Sequence, residues 1–95
     1  MFPTGHITAT RDALIALEAA QVDGGVLLSR HVNCDWGEVE PGDALENDFS
    51  VKNGLRILSS YKLPTGRRVW IITAGDRANT TLILPEEFLS MRGPK

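Results

Sequence analysis

The chain has 95 residues, 42% of them hydrophobic and 23% charged, which suits one small globular domain over residues 1–95 and excludes a disordered chain. No run approaches the roughly 18 apolar residues of a membrane span, and the opening Met1-Phe2-Pro3-Thr4-Gly5-His6 lacks the basic and apolar regions of a secretory signal. The net charge of −2 offers no basic excess for a dedicated nucleic-acid binder, and the single cysteine, Cys34, closes no intrachain disulfide, so a cytoplasmic protein is expected.

A short strand is expected over Gly5–Ala9, followed by Thr10 as the N-cap of a helix over Arg11–Val22. In that helix Leu14 and Leu17 share a face with Ala13 and Ala20, with Arg11 and Glu18 toward water. Asp23-Gly24-Gly25 is expected to stop it. A second short helix over Val26–Val32 sets Leu28 and Val32 at the i, i+4 spacing and turns Arg30 outward. Asn33–Glu40 reads as a loop around Cys34-Asp35-Trp36-Gly37.

Pro41 suits the first turn of a third helix, where a missing N–H costs nothing. On a helical wheel Leu45 and Phe49 form its buried stripe, and Asp43, Glu46 and Asn47 point away. Asn53-Gly54 ends it. The hydrophobic rhythm then becomes alternating. Leu55, Ile57, Ser59 and Tyr61 oppose Arg56, Leu58, Ser60 and Lys62 across a strand. Leu63-Pro64-Thr65-Gly66 is a turn, Arg68–Ala74 a central strand, and Thr80–Leu84 a third strand of this half, ended by Pro85. Glu86–Met91 reads as a helical turn and Arg92–Lys95 as a frayed tail. The order βαααβββ predicts an α+β fold: an antiparallel sheet of three to four strands with two or three helices on one face.

Charge is divided along the chain. Asp35, Glu38, Glu40, Asp43, Glu46 and Asp48 follow one another with no Lys or Arg between, and Lys52, Arg56, Lys62, Arg67, Arg68 and Arg77 then face only Asp76. Such segments either attract each other within the fold or form a polarised surface for a charged partner. Signature motifs exclude several chemistries. There is no phosphate-cradling P-loop, no zinc pattern and no EF-hand, since Gly37 stands where an oxygen ligand is needed. No cofactor and no metal site are expected.

The loop from His31 to Gly37 gathers an imidazole, an amide, a thiol, a carboxylate and an indole. It orients a ligand, or else Trp36 plugs a gap while Asp35 caps backbone amides. Asp76-Arg77 with Thr80-Thr81 is either an Asx-type strand connection or a phosphate site. Arg67-Arg68 forms a basic hairpin tip, solvated or in contact with nucleic acid.

His31, Asp35-Trp36-Gly37, Asp43, Asn47, Gly54 with Arg56, Ser59-x-Tyr61, Trp70-x-Ile72-Thr73, Asp76-Arg77, Thr80-Thr81 and Leu84-Pro85 together resemble a widespread, largely uncharacterised family of short bacterial proteins. These are encoded on plasmids and integrative elements. The chain departs from that pattern at Cys34, where the family more often has Gly, and at Ala74, where it more often has an acidic residue. Some members carry a restriction–modification methylase-subunit label, which the residues do not support because the glycine-rich cofactor loop and the catalytic motif of a methyltransferase are missing. The resemblance implies a mobile-element context, and with it accessory, regulatory or anti-defence roles.

The leading expectation is therefore a non-enzymatic module that binds a macromolecular partner, most simply a protein. Asp35, Trp36, Asp43, Glu46 and Asn47 would carry recognition, with Trp36 as anchor and Arg56, Asp76 and Arg77 as further binding residues. The alternative is a small enzyme or ligand-binding domain acting on a nucleotide or nucleic acid. There His31 is the general base, Asp35 orients it, and Arg56 and Arg77 hold phosphate, which requires all of them in one pocket. Direct DNA binding through Arg67 and Arg68 is a third possibility.

Overall fold

The computed structural model describes residues 1–92 and, within them, the side chains of residues 1–90. Its elements are β1 (His6–Ala9), α1 (Arg11–Ala20), α2 (Gly24–Val32), α3 (Pro41–Asn53), β2 (Ile57–Lys62), β3 (Arg68–Thr73), β4 (Asn79–Ile83) and α4 (Pro85–Arg92). The α+β class and the order of elements are as the sequence rhythm requires. Of the tail expected over Arg92–Lys95, everything past Arg92 lies outside the described residues.

The strands form one sheet in the order β1-β4-β3-β2. β2, β3 and β4 make an antiparallel meander, and the β2–β3 connection is the expected turn, closed by Gly66 N–H donating to Leu63 C=O at 2.8 Å. β1 joins the far side of β4 in parallel, Ile7 opposite Thr80 and Ala9 opposite Leu82. The sheet is thus mixed rather than wholly antiparallel. Side-chain alternation specifies which residues share a face, and it is blind to strand direction.

One face of the sheet carries Ile57, Ser59 and Tyr61, Val69, Ile71 and Thr73, and Thr80 and Leu82, all buried. α1 and α2 cover it. Ala13, Ala16, Leu17 and Leu27 pack with Tyr61, Leu63, Val69, Ile71, Leu82 and Leu84 in the main core. The expected helical turn after Pro85 is a full helix, α4, and it lies on the opposite face, where Phe88 meets Trp70 edge-on at 5.7 Å between ring centroids. α3 stands at the β2 edge.

Local chemistry sets the helix ends. Thr10 caps α1, its hydroxyl accepting from Ala13 N–H. α1 ends at Gln21, which adopts the left-handed conformation, before the glycine pair is reached. Asp23 opens α2 instead of closing α1: its carboxylate accepts from Gly25 N–H at 2.8 Å, and both glycines lie in the first turn. Gly24 also allows close approach to Leu17 and Leu82.

The helical-wheel assignments hold in part. On α1 Ala13 and Leu17 are buried and Arg11 and Glu18 exposed as expected, but Leu14 is 54% exposed. On α2 the enclosed residues are Leu27 and His31, one position before Leu28 and Val32. On α3 Leu45 and Phe49 are exposed at 71% and 58%, while Asn47 and Ser50 are buried. α3 faces a sheet edge, whose main-chain groups need polar partners more than they need apolar contacts.

Candidate functional site

The outer edge of β2 is closed by residues that the sequence reading had placed on a recognition surface. Leu58 and Ser60 turn their main-chain groups away from β3. The Asn47 amide takes both groups of Leu58: its Nδ2 donates to Leu58 C=O at 2.8 Å and its Oδ1 accepts from Leu58 N–H at 3.2 Å. Ser60 N–H donates to Trp36 C=O at 3.0 Å, and Glu38 N–H donates to Ser60 C=O at 2.6 Å. Between those two contacts Gly37 approaches β2 at φ +73°, and a Cβ there would stand 2.1 Å from Ser60 O. Asn47 is 6% exposed, and its amide seals the edge of the sheet.

Trp36 is likewise enclosed, at 6% exposure. It packs with Phe2 and Ile57 in a second apolar cluster, lies edge-on to His31, and donates from Nε1 to Asp48 Oδ1 at 3.1 Å. The expected anchor is therefore a plug between the loop, α3 and the sheet. Asp35 remains at the surface. Its carboxylate accepts from Arg30 Nε at 2.7 Å and Nη2 at 3.2 Å, and from Gly37 N–H at 3.3 Å. The Arg30 hydrogen bond is the main cause holding the carboxyl below its ordinary range. The Tyr61 hydroxyl donates to Asp35 C=O at 2.6 Å; burial pushes that phenol up to about 12. Arg30 also stacks 4.7 Å above the Tyr61 ring.

His31 is fully buried and belongs to a polar chain through the core. Thr80 Oγ1 donates to Thr4 C=O at 2.8 Å. A carbonyl only accepts, so the remaining directions follow. Thr73 donates to Thr80, His31 Nε2–H donates to Thr73, and Ser59 donates to His31 Nδ1. The ring is neutral with its proton on Nε2. Burial, with a smaller effect from the Arg77 charge, lowers its pKa to about 4. The His31, Ser59, Thr73 and Thr80 side chains are fully buried, and each is hydrogen-bonded within the chain. Asp35 bonds Arg30 and Gly37, not His31.

Asp76 forms the expected Asx turn, accepting from Ala78 N–H at 2.9 Å. Arg77 pairs with no carboxylate among the described residues. Its guanidinium donates to Leu55, Ala74, Gly75 and Ser50 carbonyls at 2.7–3.2 Å, and it stacks over Phe2. It ties the end of α3 to the β3–β4 connection. Arg56 stands elsewhere, over the ring of Phe88 at 5.5 Å. The His31, Asp35, Arg56 and Arg77 side chains therefore do not converge. At the hairpin tip Arg67 binds Glu86 at 2.9 Å and Arg68 binds Glu38 at 3.0 Å.

What the fold does bring together is Asp43, Glu46, Asn47 and Arg56. With Val39 and Leu58 they line a cleft of about 180 Å³ between α3 and β2. A shallower depression continues from it along the open sheet face past Glu38, Glu40, Ser60, Arg68 and Trp70. Asp43 and Glu46 are exposed on its rim, and neither is in an ion pair among the described residues. Among the described residues, Arg68–Glu38 is the one ion pair that joins the acidic and basic segments. Val39 and Leu58, the apolar floor, carry no sequence signal beyond ordinary alternation. Among the described residues no cluster of His, Cys, Asp or Glu is arranged to hold a metal, and no helix is long and apolar enough to cross a membrane.

Comparison with protein-family models, with curated proteins and with solved structures finds no match to this chain. The class that fold and site define is a small α+β domain with an acid-rimmed surface cleft.

Proposed function

We propose that the protein is a non-enzymatic binding module that takes a basic side chain of a macromolecular partner into the cleft between α3 and β2. The reading rests on one observation: Asp43 and Glu46, unpaired among the described residues, share the rim of a cleft with an apolar floor. Its volume, about 180 Å³, falls below the roughly 300–1,000 Å³ of small-molecule sites. It suits the end of one Lys or Arg, whose aliphatic stem lies on Val39 and Leu58 while its charge meets the carboxylates. Arg56 also lines the cleft, and its repulsion directs the entering cation toward the carboxylates. An accessory role on a mobile genetic element is consistent with the family resemblance.

The test is binding of Lys- and Arg-containing peptides at low salt, with the Asp43→Lys, Glu46→Lys double variant as control. The intact chain should retain basic peptides, and the variant should lose them at an unchanged thermal midpoint. Equal binding by both proteins, or none by either, would remove the proposal.

A further inference from the structure

The two edges of the sheet are treated differently. β2 is closed, whereas β1 pairs on one side only. His6 N–H donates to Ala78 C=O and Thr10 N–H to Leu82 C=O, so the alternation of a parallel ladder turns the main-chain groups of Ile7 and Ala9 outward. Among the described residues nothing pairs with them. The strand is four residues long, but His6-Ile7-Thr8-Ala9 contains none of the Lys, Arg, Asp, Glu or Pro that commonly blunt an edge. An apolar cleft runs beside this edge, lined by Ile7, Ala9, Leu14, Leu17, Val22 and Leu28.

The neighbouring helix indicates what covers the edge. The exposed face of α1, which also carries Asp12 and Ala19, includes Arg11, Leu14, Ile15 and Glu18 as one stripe at the i, i+3, i+4, i+7 spacing. A cation stands at one end, an anion at the other, and two aliphatic side chains, each at least half exposed, lie between them. Such a stripe is complementary to itself when two copies run antiparallel. A foreign strand has no reason to match it.

We infer that two copies of this chain associate about a twofold axis, pairing β1 with β1 in antiparallel fashion and α1 with α1. With the axis at Thr8, Ile7 of each copy exchanges main-chain hydrogen bonds with Ala9 of the other. Both helix layers then lie on the same side of one continuous sheet. Leu14 and Ile15 meet their counterparts, and Arg11 of each copy faces Glu18 of the other.

Sedimentation equilibrium over a range of chain concentrations tests this. The intact chain should show a monomer–dimer equilibrium. Ile7→Pro, which blocks an outward N–H, and Glu18→Arg, which opposes two cations, should each weaken it by about tenfold or more. Arg11→Glu combined with Glu18→Arg should restore the dimer, because the swapped charges match again. Circular dichroism verifies that each variant folds, and Glu18→Arg, a surface change, serves if Ile7→Pro does not. A monomer at every concentration, a dimer indifferent to Glu18→Arg, or a charge swap that fails to restore association overturns the inference. So would a monomer whose β1 edge takes up only unrelated peptides.

Discussion

The β2 and β1 edges of the same sheet show two solutions to one problem. At β2, a side-chain amide and two loop residues, Trp36 and Glu38, take the main-chain groups of Leu58 and Ser60, and the enclosed polar chain through His31 ties the inner side of β2 and β3. At β1, the outer groups of Ile7 and Ala9 have no such partner among the described residues. Sealing the β2 edge takes the polar side of α3 inside the fold, so Asn47 is buried while Leu45 and Phe49 are exposed. On that helix burial cannot be read from hydrophobicity.

The contrast can be broken most forcefully at Gly37. Gly37→Ala places a methyl against Ser60 O at a left-handed backbone position and should cost roughly 3–5 kcal/mol in denaturant unfolding. Acid attacks the same region through His31. Its ordinary pKa of 6.5 falls to about 4 in the fold, so between those values the unfolded chain holds a proton that the folded chain does not. Stability is then full above pH 6.5 and declines by about 3 kcal/mol as the pH falls to 4. A pH series of unfolding curves should show this slope, and His31→Gln should remove it.

Asn47→Ala leaves Leu58 N–H and C=O without partners, a loss of about 2 kcal/mol. Hydrogen exchange at the Leu58 amide should accelerate alongside it. At the open edge, Ile7→Pro removes an N–H that makes no internal bond, and it should cost the isolated monomer under about 1 kcal/mol. The smallest effect belongs to the outward face of α3: Leu45→Ser and Phe49→Ser should change stability by less than about 0.5 kcal/mol. A large loss there would mean that this face is covered.

Much of the fold was legible from residue order. Thr10 as a cap, Pro41 at a first turn, Gly54 at a helix end and the alternation from Ile57 to Tyr61 each act over a few residues, so local chemistry decides them. Of the candidate residues, Asp43, Glu46 and Arg56 do share a cleft. Trp36, Asn47 and Arg77 were picked for unusual chemistry and proved to be internal ties. Their partners Leu58, Asp48 and Ser50 lie 11, 12 and 27 residues away, and no short window along the chain contains such pairs.

By itself the sequence determined the α+β class, the order of elements, and the residues on each face of β2, because helix stops and alternating burial are short-range properties. Tertiary structure alone decided that β1 runs parallel to β4, that α4 crosses to the other face, and that α3 turns its polar side inward. Each of those depends on which main-chain groups of a distant strand still need a partner, and that need exists only once the sheet has assembled.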